Sequence, residues 1–130
     1  MPKRRAAAPS QRQLRVGEEL RHALAWLLER GEVYDPGIAG TTITITEVRV
    51  SPDLRNATAF VVPLGGGDVS VVLHSLTRAR PFLRRAIAKS VRLRRVPNLQ
   101  FSADESFDTA SRIDHLLRQA AFKGGEDEDA

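Results

Sequence analysis

The sequence predicts an α+β fold, a small three-stranded sheet with helices packed on one face. Three observations point there. Apolar residues recur at three- and four-residue steps over 11–30 and again after residue 68, the period of half-buried helices. Two runs rich in Thr, Ile and Val, 42–50 and 57–62, flank the turn signal Ser51-Pro52-Asp53 and read as a hairpin. A proline, Pro81, then breaks the second helical stretch in two. The element order is helix, strand, strand, helix, break, helix, strand, helix, and such an order is satisfied by a layer of helices on one side of a sheet.

The chain has 130 residues, enough for one domain with a core that needs no disulfide or metal staple. There is no cysteine, which excludes a disulfide framework and thiol chemistry. No apolar run is long enough to span a bilayer, and the basic N-terminus lacks the apolar segment of a secretory signal, so the cytoplasm is the expected location. The formal net charge is +4, and the acidic run Glu126 to Asp129 hides a more basic body. A basic body suits a polyanion, nucleic acid ahead of membrane. Residues 1–10 read as a flexible basic arm, 11–122 as the domain, and 123–130 as a disordered acidic tail.

Taken in order, Val16, Leu20, Leu24, Leu27 and Leu28 form the stripe of the first helix, and Gly31 is its stop signal. Trp26 falls at the edge of that stripe and is expected to be partly buried. Asp35-Pro36-Gly37 and Gly40 mark a loop. In the first strand Ile43 and Ile45 face one way, and strict alternation sends Val48 and Val50 the other way. One extra residue near Thr46-Glu47, a bulge, brings all four to the same side. Asp53 is placed to hydrogen-bond backbone two residues on. Gly65-Gly66-Gly67 lacks the following Gly-Lys-Ser/Thr of a phosphate loop and reads as a connection, with Asp68 or Ser70 capping the next helix. That helix spans 70–79 with Val72, Leu73 and Leu76 inward. Pro81 should then force a kink at Ala79-Arg80-Pro81, moving Arg80 out of helical dihedrals. It starts a helix that buries Phe82, Leu83, Ile87 and Val91. Residues 99–102 are a third strand. Asp104 or Ser106 caps a last helix over 107–122 with Ile113, Leu116, Leu117 and Ala120 on one side.

The chemistry concentrates around the break. Arg78, Arg80, Arg84, Arg85, Lys89, Arg92, Arg94 and Arg95 fall in one stretch, and no acid occurs between Asp68 and Asp104. Arg78, Arg85, Lys89 and Arg92 lie near one face at helical spacing, with Arg80 and Arg84 on a neighbouring one. These eight are the candidate RNA contacts, mainly to phosphate. Two helices meeting at a tight kink beside a strand is the geometry of a KH domain, in which nucleic-acid backbone approaches the kink. The N–H groups of Phe82 and Leu83 would face that approach. His22, His74 and His115 sit on three helices without partners at ligand spacing. No nucleophile motif occurs. No catalytic residue, metal site or cofactor is expected.

Asp35-Pro36, Thr42-Ile43-Thr44-Ile45-Thr46-Glu47-Val48, Ser51-Pro52-Asp53-Leu54-Arg55, and the run from Arg92 to Phe101 form a pattern that resembles the bacterial ribosome-binding factor A family. Asp104-Glu105-Ser106, Arg112-Ile113-Asp114 and Leu116-Leu117 complete it. It covers about residues 12 to 121 in order and spacing. The resemblance implies a type-II KH-like fold and a non-enzymatic factor for small (30S) subunit biogenesis. Such a factor binds the immature small subunit and its ribosomal RNA, and assists late maturation and 5′-end processing of 16S rRNA. It also implies other maturation factors as partners, an assembly GTPase among them, and a monomer. In the family the Gly-x-x-Gly loop of other KH domains is replaced by a kink with Ala-x-Gly, and here the residues are Ala79-Arg80-Pro81.

Two other readings stand beside this one. A generic KH-type single-strand binder would need stacking aromatics, and Phe82, Phe101 and Phe107 read as core. A small nuclease would need a metal-carboxylate cluster, and a protein adaptor would show no salt-dependent RNA affinity.

Overall fold

A computed structural model describes residues 8–65 and 67–106; the expected last helix, the acidic tail and most of the arm lie outside the described residues. The described elements are α1 (Gln11–Glu29), β1 (Thr42–Val50), β2 (Asn56–Leu64), α2 (Val69–Arg78), α3 (Arg80–Ser90) and β3 (Asn98–Ala103).

Helix α1 begins one residue earlier in function than its stripe suggests. Ser10, read from sequence as part of the arm, is its N-cap. Its hydroxyl accepts from the Gln13 N–H at 3.1 Å while the Gln13 side chain accepts from the Ser10 N–H at 2.9 Å. Gln13 also donates to the Val50 carbonyl at 2.8 Å, pinning the helix start to the end of β1. At the other end Gly31 takes φ 68°, and the Gly31 and Glu32 N–H groups bond back to the Leu28 and Leu27 carbonyls, a glycine-terminated helix stop. Val16, Leu20, Leu24 and Leu27 are buried, as the stripe requires. Trp26 is 58 % exposed, more than its boundary position suggested, with the Arg30 guanidinium 5.0 Å above its ring.

Strands β1 and β2 pair antiparallel, and the register shifts between Ile45 and Glu47. Thr46 is the extra residue. Ile45, Val48 and Val50 are buried and Ile43 packs against the same cluster, so the bulge restores one apolar face. The turn between the strands is fixed by Asp53, whose Oδ1 accepts from the Ser51 hydroxyl at 2.7 Å and the Arg55 N–H at 3.0 Å. Leu54 holds a left-handed φ of 63° there while its side chain packs on the core.

Strand β3 pairs parallel to β2, so the sheet order is β1-β2-β3. A parallel neighbour needs a crossover, and α2 and α3 provide it. Asp68 caps α2, accepting from the Ser70 N–H at 2.9 Å. Leu76, Leu83 and Ile87 are completely buried, with Val72 nearly so. Together with Leu20, Leu24, Ala59, Val61 and Leu99 they fill one core between the helices and a single face of the sheet.

Candidate nucleic-acid interface

The break between α2 and α3 falls on one residue. Ala79 sits at φ −85° and ψ 0°, its N–H bonding back to the Ser75 and Leu76 carbonyls. Arg80 is already the first residue of α3. The expected displacement of Arg80 from helical geometry therefore does not occur. The turn at Ala79 absorbs the bend and frees the Pro81 ring from the carbonyl that a continuous helix would place four residues back. Leu83 donates to the Ala79 carbonyl at 2.9 Å. Its N–H is part of α3 and not a free donor, contrary to the sequence expectation.

The eight cations separate into two groups. Three have protein partners. Arg78 forms a two-pronged pair with Asp35, Nη2 to Oδ1 at 2.9 Å and Nε to Oδ2 at 3.1 Å, and its Nη2 also reaches the Ser75 hydroxyl at 3.3 Å. Arg80 donates to the Leu99 carbonyl at 3.2 Å. Arg84 donates to the Val96 carbonyl at 2.8 Å and to the Pro97 carbonyl at 3.3 Å. The remaining five, Arg85, Lys89, Arg92, Arg94 and Arg95, are exposed.

Asp35 is a strongly perturbed acid. Its carboxyl is held well below the ordinary range, first by the Arg78 guanidinium, then by the Gly37 N–H at 2.9 Å and the Ser75 hydroxyl. The loop carrying it lies so close to α2 that a Cβ on Gly37 would fall 1.9 Å from the Ser75 oxygen. The Arg78 end of α2 is thus fixed by a loop far away in sequence.

A groove runs along the break, lined by Arg78, Arg80 and Arg84 on the helix side and by Asn56, Asn98 and Gln100 on the sheet side. It is the concave surface where kink and strand meet, with side chains that donate hydrogen bonds and the parallel pair Asn56–Asn98 at one end. The arrangement can receive an anionic backbone, with guanidiniums for phosphate and amides for base or sugar edges.

Sequence reasoning missed Asp35 as the anchor of Arg78, and it missed Arg12 and Arg55, which approach Arg94 and Arg95 at the hairpin end of the molecule. No spacing in the sequence links residues 12, 55 and 94; only the folded chain brings them together. Among the described residues no group of three His, Cys, Asp or Glu side chains could hold a metal ion, and no described helix is long and apolar enough to cross a membrane.

Known proteins carry the same pattern. The family model described as Ribosome-binding factor A matches residues 12–117. Ribosome-binding factor A of Paramagnetospirillum magneticum is 66 % identical over 114 residues, covering 88 % of this chain and 80 % of that protein. The crystal structure of ribosome-binding factor A from Thermus thermophilus matches with a TM-score of 0.58 at 30 % identity, over 70 % of this chain and 94 % of that one. Coordinates of the Thermus thermophilus factor fitted into the cryo-EM map of a 30S complex match with a TM-score of 0.55 at 29 % identity, over 68 % of this chain and 91 % of that one. These neighbours have a KH-like fold, and this chain's three-stranded sheet with helices on one face is that fold. With its break at Ala79, its bulged first strand and a family match running through nearly all of its described residues, the chain belongs to the ribosome-binding factor A family.

Proposed function

We propose that this protein binds the small ribosomal subunit through its ribosomal RNA and acts during late maturation, before the 5′ end of 16S rRNA is finished. It works in the cytoplasm as a monomer, as a binding factor without catalytic chemistry, alongside other maturation factors that include an assembly GTPase. The observation that carries this reading is the acid-free run from residue 69 to residue 103 placed around a helix break, with six exposed cations on it, Arg78 among them. The Thermus thermophilus relative fitted into a 30S map supports the choice of partner. Function then rests on tighter binding to the immature than to the mature particle.

Arg85, Lys89 and Arg92 carry the first-contact role, because their exposure leaves them available to phosphate. Arg78, Arg80 and Arg84 shape the groove and are already tied to protein oxygens. The test is binding to purified immature and mature small subunits across a salt series, comparing the wild type with Arg85→Ala/Lys89→Ala/Arg92→Ala. The triple variant should bind more weakly with a log–log salt slope shallower by about 2, each phosphate contact contributing roughly 0.7–0.9. Wild-type affinity in the triple variant would remove the exposed face of α3 and its C-terminal end from the interface.

A further inference from the structure

Arg12, Arg55, Arg94 and Arg95 line a second groove, on the hairpin end of the molecule. They come from three separate segments: the first turn of α1, the β1–β2 turn, and the connection between α3 and β3. All four are exposed. Apolar Val16, Leu54, Leu93 and Pro97 line the groove beside them. Among the described residues the one carboxylate lining the groove is Asp53, and its Oδ1 is engaged by the Ser51 hydroxyl and the Arg55 N–H in building the turn.

The groove concentrates positive charge. Arg12 stands in the first turn of α1, where the exposed N–H groups already make the helix end positive, and no acid occupies that turn. Arg55, Arg94 and Arg95 line the same groove, with one carboxylate, Asp53, beside Arg55. Four guanidiniums and one carboxylate leave a surplus of positive charge that suits a polyanion.

We propose that this groove is a second phosphate-backbone site, which holds a segment of ribosomal RNA distinct from the one at the helix break. The proposal rests on the small-subunit reading above and deepens it. The two grooves adjoin where Arg55 meets Asn56 and Pro97 meets Asn98, Asn56 and Asn98 lining the first and Arg55 and Pro97 the second. A folded RNA whose backbone reaches both would be held at two places. Contacts of this kind position the partner and do not select bases.

The experiment compares wild type, Arg12→Gln/Arg95→Gln, and the charge-matched control Arg30→Gln/Arg49→Gln, whose two arginines lie outside both grooves. Binding to purified immature small subunits is measured across a salt series, and thermal midpoints are measured without RNA. The expected result is a groove variant that melts at or above the wild-type midpoint, binds about tenfold more weakly at moderate salt, and shows a salt slope shallower by about 1.5, with the control close to wild type. Equal losses in groove variant and control would mean net charge alone and overturn the proposal. A groove variant that binds as the wild type does would overturn it while leaving the small-subunit reading intact. A groove variant with a clearly lowered midpoint would assign these arginines to the fold and overturn it too. Failure of the wild type to bind small subunits at all would overturn the underlying reading and the second site together.

Discussion

Asp35 joins a surface loop to the end of α2 through one carboxylate, only 13 % of whose side chain is exposed. Because Arg78, Gly37 and Ser75 hold its pKa below the unfolded value, the stability it contributes is present above the unfolded carboxylate pKa, near 3.9. That contribution is lost as pH falls through the lower folded value. Asp35→Asn should lower the urea midpoint at neutral pH, and the gap from wild type should stay constant between about pH 5 and 8 and close below about pH 4. A gap that persists unchanged in strong acid would show that charge is not what Asp35 supplies. Gly17 makes a second residue-scale demand. A Cβ there would meet the Val48 carbonyl oxygen at 2.5 Å, and a backbone atom cannot swing aside as a side chain does. Gly17→Ala should cost about 1–3 kcal/mol in chemical denaturation, as overpacking does. In sequence Gly17 is a weak helix former in an otherwise regular stripe, and nothing local says that a strand crosses it.

At the scale of elements, the α2–α3 break is held from outside as much as by its proline. Arg80 and Arg84 reach carbonyls on β3 and its approach, and Leu76 and Leu83 are buried on either side of Ala79. Pro81→Ala should leave the break in place and change stability by less than about 1 kcal/mol, which urea denaturation and amide exchange can check. Arg84→Ala should behave differently. It removes donors from two partly buried carbonyls and should cost roughly 1.5–3 kcal/mol. Arg85→Ala, on the exposed side of the same helix, should stay within about 0.5 kcal/mol of wild type. The sequence makes these two neighbours look alike, because an arginine that turns to a carbonyl and one that turns to water share the same spacing and composition. The helix break, by contrast, was legible because proline acts on its own backbone. The bulge was legible because the alternation of Ile43, Ile45, Val48 and Val50 fails at one point. The cap at Ser10 was hidden inside a stretch that composition assigns to a tail.

For the whole molecule, charge and packing are assigned to different surfaces. The helices and one sheet face share a single apolar core, while cations gather at the helix break and at the hairpin end. Self-repulsion between those cations is screened by salt. The free protein should therefore melt at a higher temperature in about 0.5 M than in about 0.05 M sodium chloride, a trend calorimetry can follow, whereas its affinity for RNA should fall over the same range. Which face of the sheet joins the core is itself decided by Thr46. Side chains along a strand obey an odd–even rule, and Thr46 is the single uncounted residue that lets Val48 and Val50 keep step with Ile45. Its hydroxyl also reaches Asp104, just past the end of β3. The gene segment encoding β1 therefore carries a second reading frame, one of parity. Losing the single codon at position 46 would leave the genetic frame intact, remove the bulge and keep both valines inward, because the residue lost is the one the alternation does not count. Losing one codon outside the bulge, at position 49, would instead turn Val50 outward.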